Sequence, residues 1–245
     1  MKPIKLILST AIGAAMLSSC GDSSYEVHQT MFYPNNGAVS LYADQVQDTI
    51  HVYSLDSWTG QASFSNGGTW FTFSPQRVEV EAGKASDTKI TITASGVNTT
   101  GKNLAGELRI NSHDQIATNV YHYAWLEVTS PAAQFVDKNV APFNTSQTTM
   151  EEFEKTFPTF AIKDIAATAT DTAVSFRTYQ PGAKLTSDAA WLKLDGTDGN
   201  YPASGKQRAA LKVEANTTGA DRTANLTLTS AGISTVITLT QKAAK

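Results

Sequence analysis

The sequence predicts an all-β protein of two tandem immunoglobulin-like β-sandwich domains that follow an N-terminal signal peptide. Three observations support this fold class. Short runs of β-branched and aromatic residues alternate with polar residues and are separated by Gly, Asn, Ser and Asp, which is typical of strands joined by turns. The order of these runs repeats once along the chain, and a short apolar segment precedes them.

The repeat is carried by landmarks that occur in the same order in both halves of the chain. They are Pro34 and Pro158, Asp48-Thr49 and Asp171-Thr172, Trp70 and Trp191, and the Asn-Thr-Thr-Gly cassettes that begin at Asn98 and Asn216. The offset between the two copies falls steadily, as expected if the second copy has shorter loops. Two copies form a tandem pair, because a solenoid needs three or more. Each copy spans about 100 residues, the size of an immunoglobulin-like sandwich.

The repeat divides the chain into two sandwiches and a connector. We expect residues 30–128 to form the first sandwich, residues 157–245 the second, and residues 129–156 a connector with a short helix. A capping box that starts at Thr149, followed by apolar residues at helical spacing, predicts the helix. Pro158 would end it.

The first residues have the features of a lipoprotein signal peptide. Two lysines precede an apolar core that is too short to span a bilayer, and the core leads to Cys20, the single cysteine of the chain. A cysteine at this place is where a lipoprotein is cut and acylated. We therefore expect removal of residues 1–19, lipidation of Cys20 and a tether over residues 20–29. An incidental cysteine behind an ordinary signal peptide is the alternative.

The second copy carries a series of short motifs in a fixed order. They are Trp191-Leu192-Lys193-Leu194, a turn at Gly205-Lys206, a strand end at Ala215-Asn216, Arg222, and a last strand that closes on Thr240-Gln241. In this order they resemble the BACON domain, a Bacteroidetes-associated module to which carbohydrate binding is ascribed. The resemblance is good over 187–241. The first copy has Trp70 and Asn98 but lacks counterparts of Arg222 and Gln241. The resemblance implies a Bacteroidetes lipoprotein with two tandem BACON-like domains, although none of the motifs specifies a ligand.

Aromatic residues supply the candidate glycan-binding positions, which are Trp58, Tyr121, Tyr123 and Trp125. Sugars bind by laying their apolar C–H faces on aromatic rings while polar groups fix their orientation. Trp58 lies in a polar, Gly-rich stretch that is interpreted as a loop. Period two places the other three rings on one face of a strand over 120–128. The alternatives are that Trp58 folds back onto the sandwich and that the stripe is covered, as core or by the connector helix.

Two further sets of residues are singled out by the repeat. Trp70, Trp191, Asn98 and Asn216 are structural markers, and their presence in both copies favours packing over ligand contact. Thr49 and Thr172 follow aspartates in Asp-Thr-hydrophobic triplets that resemble the acceptor site for O-glycosylation in Bacteroidetes. A turn aspartate before a strand is the alternative.

No catalytic, cofactor or metal site is expected. The four histidines are scattered without a metal spacing, and neither a nucleophile elbow nor a phosphate-binding glycine loop occurs. The net charge of −3 offers no basic field for nucleic acid. The chain is therefore not expected to be an enzyme.

These observations favour a lipid-anchored binding protein of the cell envelope that recognises a glycan, either polysaccharide or mucin, without catalysis. Its partners would be the membrane, through Cys20, and a glycan. We expect an outer-membrane lipoprotein, with surface exposure left open. The alternative is a structural spacer or a docking module for other envelope proteins, because sandwiches host many functions.

Overall fold

The computed structural model describes residues 27–33, 38–129, 134–135 and 159–244, and the described residues form strands and no helix. The strands of the first half are β1 (Thr30–Tyr33), β2 (Ala38–Leu41), β3 (Gln47–Ser54), β4 (Trp58–Phe64), β5 (Phe71–Ser74), β6 (Arg77–Val78), β7 (Ser86–Ala94), β8 (Leu104–Asn111) and β9 (Gln115–His122). Those of the second half are β10 (Glu127–Val128), β11 (Gln134–Phe135), β12 (Phe160–Ile165), β13 (Asp171–Thr178), β14 (Ala183–Ser187), β15 (Leu192–Leu194), β16 (Asn200–Tyr201), β17 (Gly205–Val213), β18 (Arg222–Ser230) and β19 (Ile233–Gln241). The predicted all-β class is confirmed.

Four sheets make up two sandwiches. In the first sandwich the sheet β1-β3-β7-β5 faces the sheet β2-β9-β8-β4-β6. In the second, β10-β13-β17-β15 faces β11-β12-β19-β18-β14-β16. Most pairs are antiparallel, but β2 runs parallel to β9 and β12 runs parallel to β19. The same parallel edge strand thus recurs in both copies.

Alternation along the strands builds each core. In β19 the inward residues include Ile237 and Leu239, which are fully buried. Val236, which directly precedes Ile237, points outward and is 49% exposed. In β7 the buried Ile90 and Ile92 play the same part for the first sandwich. A period of two therefore separates a hydrophobic face from a hydroxyl-rich one, as predicted.

The polypeptide passes from one sandwich to the other sooner than predicted. A single strand over 120–128 is wrong: β9 ends at His122, and β10 pairs with β13 of the second sandwich. Leu126 and Val128 belong to the second core. The alternation that continues past residue 122 reflects burial on both sides of a crossing segment. Its backbone bonds first to the first sandwich, through Tyr123 N–H to the Leu41 carbonyl and Ala43 N–H to the Trp125 carbonyl, and then pairs with β13 of the second.

The stretch around Trp58 is also different from the predicted loop. It forms β4, with Trp58 and Ala62 turned inward and Thr59 and Gln61 turned outward. Position 60 also belongs to the inward series. It is a glycine, and a Cβ there would come within 2.5 Å of the Phe73 ring. The alternation is masked in the sequence because its inward positions include small residues.

The two repeated asparagines hold equivalent turns. The Asn216 amide donates to the carbonyls of Ala220 and Lys242, both at 2.8 Å, and its Oδ1 accepts from the Thr218 N–H and hydroxyl. Asn98 makes the same bonds around Thr100 and also donates to the carbonyls of His122 and Tyr123. Both are buried. Each marker therefore joins a loop to the end of its sandwich's last long strand.

Several predictions concern residues outside the described part of the chain. They are the signal peptide, the lipidation of Cys20, most of the tether, and the connector helix. The described part of the chain holds no helix that is long and apolar enough to cross a membrane.

Candidate binding site at the junction of the two sandwiches

The junction is fixed by Asp44, which lies in the turn between β2 and β3 and is fully buried. Its Oδ2 accepts hydrogen bonds from the backbone N–H of Tyr179 at 2.9 Å, the hydroxyl of Ser230 at 2.8 Å and the N–H of Gln180 at 3.4 Å. The Gln180 side chain donates to the Asp44 carbonyl at 3.1 Å. One oxygen of a first-sandwich carboxylate thus accepts three hydrogen bonds from the second sandwich, while Oδ1 is buried without a partner among the described residues. Buried charge needs such donors, because burial without them is very costly.

Apolar packing continues across the same boundary. Ala43 and Trp125 belong to the hydrophobic cluster of the second sandwich, and Tyr42 and Tyr123 pack against it. The Leu126 N–H donates to the Thr235 hydroxyl at 2.9 Å. Residues of the first sandwich therefore contribute to the core of the second at the junction, while the two main cores remain separate clusters.

Two tyrosines, one from each sandwich, meet at the side of this junction. The rings of Tyr42 and Tyr179 have centroids 6.2 Å apart and planes 16° apart, and both side chains are half-buried. The Tyr179 hydroxyl donates to Glu127 Oε2 at 2.6 Å, and the Arg177 guanidinium lies 5.3 Å from the Tyr179 ring centroid. The site therefore combines aromatic faces with a carboxylate and a guanidinium.

Both hydroxyls stay protonated at neutral pH. Burial, and then the charges of Glu127 and the neighbouring Tyr123, raise the pKa of Tyr42 to about 12. Burial and the hydrogen bond to Glu127 raise the pKa of Tyr179 further still. Each hydroxyl therefore remains a donor, and the partly exposed rings can carry the apolar face of a ligand.

The predicted glycan-binding aromatics lie mainly inside the protein. Trp58 is 2% exposed, and Tyr121 and Trp125 are 4% exposed. Tyr123 is half-buried, stacks on Trp125 with ring centroids 4.5 Å apart, and shares a hydrogen bond with the Ser40 hydroxyl at 3.1 Å. These rings do not form an open platform. Trp58 lies in the core of the first sandwich, away from the junction. The other three rings pack at the junction because the segment that carries them crosses between the sandwiches.

The remaining predicted residues have separate surroundings. Trp70 is buried against Phe71 and its indole N–H reaches the Ala105 carbonyl at 3.5 Å, which is a packing role. Trp191 is half-buried beneath Arg222, whose guanidinium lies 4.4 Å from the indole. Of the two threonines predicted to accept an O-glycan, Thr49 in β3 is exposed and Thr172 in β13 is half-exposed. Their glycosylation remains a prediction.

Three of the four histidines lie at the two ends of the first sandwich, and His51 lies within β3. At one end, His28 Nδ1 donates a hydrogen bond to Asp56 Oδ1 at 2.7 Å, and its ring stacks on His113 with ring centroids 3.7 Å apart. At the other end, His122 is buried, and burial lowers its pKa despite nearby backbone carbonyls and Asp44. The residues that the structure describes contain no cluster of three or more metal-binding side chains.

Sequence reasoning missed the centre of the junction, namely Tyr42, Asp44, Arg177 and Glu127. One signal was available in the repeat. The Ala43 carbonyl accepts from the N–H of Asn98, as the Ala167 carbonyl does from Asn216, so Asp44 is equivalent to a threonine in the second copy. The presence of a charged residue at this position in only one of the two copies indicated that Asp44 makes a contact that the second copy lacks.

Comparison with known proteins gives one family match. Residues 183–242 match the family model BACON, whose description is "Putative binding domain, N-terminal". No curated protein matches the chain.

Similar solved structures come from enzymes and from smaller β-proteins. A Bacteroides ovatus GH5 xyloglucanase in complex with a XXXG heptasaccharide is 16% identical with a TM-score of 0.33, over 49% of this chain and 24% of that one. A Pseudomonas aeruginosa CupB2 chaperone is 9% identical with a TM-score of 0.28, over 86% and 99%. A Bacteroides thetaiotaomicron protein is 12% identical with a TM-score of 0.26, over 49% and 89%. The chain thus spans 24% of the xyloglucanase, and its family match covers residues 183–242.

Proposed function

We propose that this chain is a non-catalytic glycan-binding protein of the cell envelope, anchored through lipidated Cys20, and that the glycan binds at the junction of its two BACON-like sandwiches. The observation that carries the proposal is the Tyr42–Tyr179 pair, in which half-buried rings from both sandwiches lie beside Glu127 and Arg177. Ligand sites occur preferentially between domains and combine apolar walls with a few polar groups. The BACON match over residues 183–242 supports carbohydrate as the ligand class.

The chemistry of the pair suits a sugar ring. A pyranose presents a patch of C–H bonds to an aromatic face and a rim of hydroxyls to polar neighbours. At this junction the Glu127 carboxylate can accept from ligand hydroxyls, and the Arg177 guanidinium can donate to ligand oxygens. A rigid joint orders both rings before the ligand arrives, which reduces the entropy lost on binding.

The test is a glycan panel on the mature chain, with binding measured by calorimetry and tyrosine variants as controls. We expect Tyr179→Ala to weaken binding by roughly tenfold or more, since an aromatic contact is worth about 0.5–1.5 kcal/mol beyond its buried area. Tyr179→Phe keeps the ring and removes the bond to Glu127, so it separates stacking from hydroxyl contact. Tyr33, an exposed tyrosine of the first sandwich, supplies the control Tyr33→Ala.

A saturable signal that is lost in Tyr179→Ala and kept in Tyr33→Ala supports the proposal. Binding that survives both changes places the glycan elsewhere and removes the junction from consideration.

The alternative function is that of a rigid spacer or docking module in an envelope assembly. It is favoured by the burial of Trp58, Tyr121 and Trp125 and by the joint built on Asp44, which together make the pair of sandwiches one stiff unit. No saturable binding across a broad panel, together with recovery of one envelope protein by in-cell crosslinking, would establish this role instead.

A further inference from the structure

A group of unpaired cations lies next to the tyrosine pair, on the outer face of the sheet β10-β13-β17-β15. Arg177 in β13 is directly opposite Lys206 in β17, and Arg208 is directly opposite Ser175. Residues opposite each other, and residues two apart along a strand, share a face of the sheet. Arg177, Lys206 and Arg208 therefore form one patch, which we call the basic patch.

The basic patch is not neutralised as the other cations of this sheet are. Lys193 pairs with Glu214 at 3.0 Å, and Lys212 pairs with Asp195 at 3.0 Å. By contrast, none of the three patch residues makes an ion pair with any residue in the described part of the chain. Like charges that are neighbours on a sheet destabilise it. Three cations without an ion pair among the described residues thus lie together on a chain whose net charge is −3.

The patch is continuous with the candidate site. Arg177 belongs to both, because its guanidinium lies 5.3 Å from the Tyr179 ring centroid. Glu127 is opposite Arg177 in β10, and its carboxylate is engaged by the Tyr179 hydroxyl at 2.6 Å. A ligand that covers the Tyr179 ring would therefore extend from the ring onto Arg177 and then onto the row of Lys206 and Arg208.

We propose that the junction selects an acidic glycan, one that carries uronic or other carboxylated sugars, with sugar rings on Tyr42 and Tyr179 and carboxylates on the basic patch. This inference rests on the proposed glycan-binding function and specifies the class of glycan. A guanidinium presents a rigid fork of N–H donors that matches a carboxylate in bidentate fashion, and such charge-assisted bonds are stronger than neutral ones. A neutral polysaccharide would leave these donors without a matching acceptor. A repeating acid would fill them along the row.

The experiment compares two forms of one polymer, polygalacturonate and its highly methyl-esterified derivative, which share a backbone and differ in charge. Binding is measured by calorimetry at low and at physiological salt on the mature chain and on the double variant Arg177→Gln/Arg208→Gln. The control Lys89→Gln removes an exposed cation from β7 of the first sandwich. Double-stranded DNA serves as a polyanion without sugar carboxylates. A circular dichroism melt shows whether each variant is folded.

We expect the acid to bind at least about tenfold more tightly than its ester, the difference that one charge-assisted hydrogen bond provides. The double variant should lose most of this preference and the salt dependence, whereas the Lys89→Gln variant should keep both. Tyr179→Ala should weaken both polymers.

Other outcomes separate the two proposals. Equal binding of acid and ester that is lost in Tyr179→Ala would overturn the acidic class and leave the glycan function standing. An acid preference that survives in the double variant would overturn the role of the basic patch. Equal affinity for DNA would show a general polyanion surface and overturn the glycan class. If neither polymer binds while another, neutral glycan binds, only the inference of an acidic glycan is overturned. If no glycan of the panel binds, the proposed glycan-binding function is overturned as well.

Discussion

Replacing Asp44 by alanine should loosen the joint between the sandwiches without unfolding the first one. Asp44 is fully buried, and its Oδ2 is the acceptor for two backbone N–H groups and one hydroxyl of the second sandwich. Alanine leaves the N–H groups of Tyr179 and Gln180 and the Ser230 hydroxyl without this partner. An unpartnered buried donor costs the free energy of its lost hydration.

The magnitude follows from these contacts. Two of the hydrogen bonds are short, at 2.9 Å and 2.8 Å, and the third is long, at 3.4 Å. Bonds to a charged acceptor contribute about 1.5–3 kcal/mol each, and they are not additive. Removing the carboxylate also removes the cost of burying it, which is several kcal/mol per ion. The net loss should therefore be about 3 kcal/mol, within the range seen when one partner of a buried charged contact is deleted.

The assay is hydrogen exchange at the amides of residues 179 and 180, combined with urea unfolding. A loss of about 3 kcal/mol corresponds to exchange faster by a factor of about 100 at these two amides. Asp87→Ala is the control, because Asp87 bonds to His51 at the surface and its side chain is 60% exposed. Unchanged exchange at residues 179 and 180, with an unchanged unfolding midpoint, would refute the assignment of Asp44 as the anchor of the joint.

Other predictions follow from single residues. Asn216→Asp, which cannot donate to the two carbonyls that the amide bonds, should cost about 3 kcal/mol in urea unfolding. Because burial lowers the pKa of His122 below 6.5, the unfolded state binds its proton first, so stability should fall as the pH drops from 6.5 towards the folded pKa. His122→Gln should flatten this part of the stability–pH curve. Gly199→Ala, where φ is +85° and a Cβ would lie 2.2 Å from the Leu185 carbonyl oxygen, should cost more than the roughly 1–2 kcal/mol of Gly196→Ala, which meets only the positive-φ penalty.

The strands of the second sandwich could be predicted from sequence because alternation and burial agree there. In β17, β18 and β19 the buried apolar residues recur at every second position, as at Ala209, Leu211 and Val213, with mostly polar residues between them. In such strands a shift of one residue would bury the polar face, so the pattern specifies both the strand and its orientation. The Asn-Thr-Thr-Gly cassette at Asn216 could also be recognised from the sequence, because the Asn216 side chain closes its loop through bonds to residues nearby in the chain.

Prediction failed where alternation had a different cause. In β4 the inward series Trp58, Gly60, Ala62 contains small residues, so a real strand resembled a loop. In the segment after His122 both faces are buried between sandwiches, so a crossing segment resembled a strand. Hydrophobic periodicity in a sequence indicates which side chains are buried. It does not indicate whether the backbone pairs with a neighbouring strand, which depends on the elements that lie on either side of the segment.

The candidate site could not be predicted because its parts are distant in sequence. Tyr42 and Tyr179 come together only when the two sandwiches dock, and docking depends on Asp44, whose partners lie more than 130 positions further along. No local pattern encodes such a contact. The aromatic residues that stood out in sequence are the ones that fill the interior, since large rings are the principal material of cores as well as of binding surfaces.

The two copies together explain where function should be sought in a duplicated fold. Positions that both copies keep, such as Asn98 and Asn216, hold the turns that any such sandwich needs. By the register of the strands, Tyr179 follows the end of β13 as Leu55 follows the end of β3, which is one residue away from the alignment of Asp48 with Asp171. In the first copy the counterpart of the ring that stacks on Tyr42 is therefore a leucine. Asp44 likewise has a threonine as its counterpart. A change from the shared residue survives in a duplicated domain either because the site tolerates it or because it serves a new contact. At Tyr179 and Asp44 the new residue makes a specific contact with the other sandwich, so tolerance alone does not account for it.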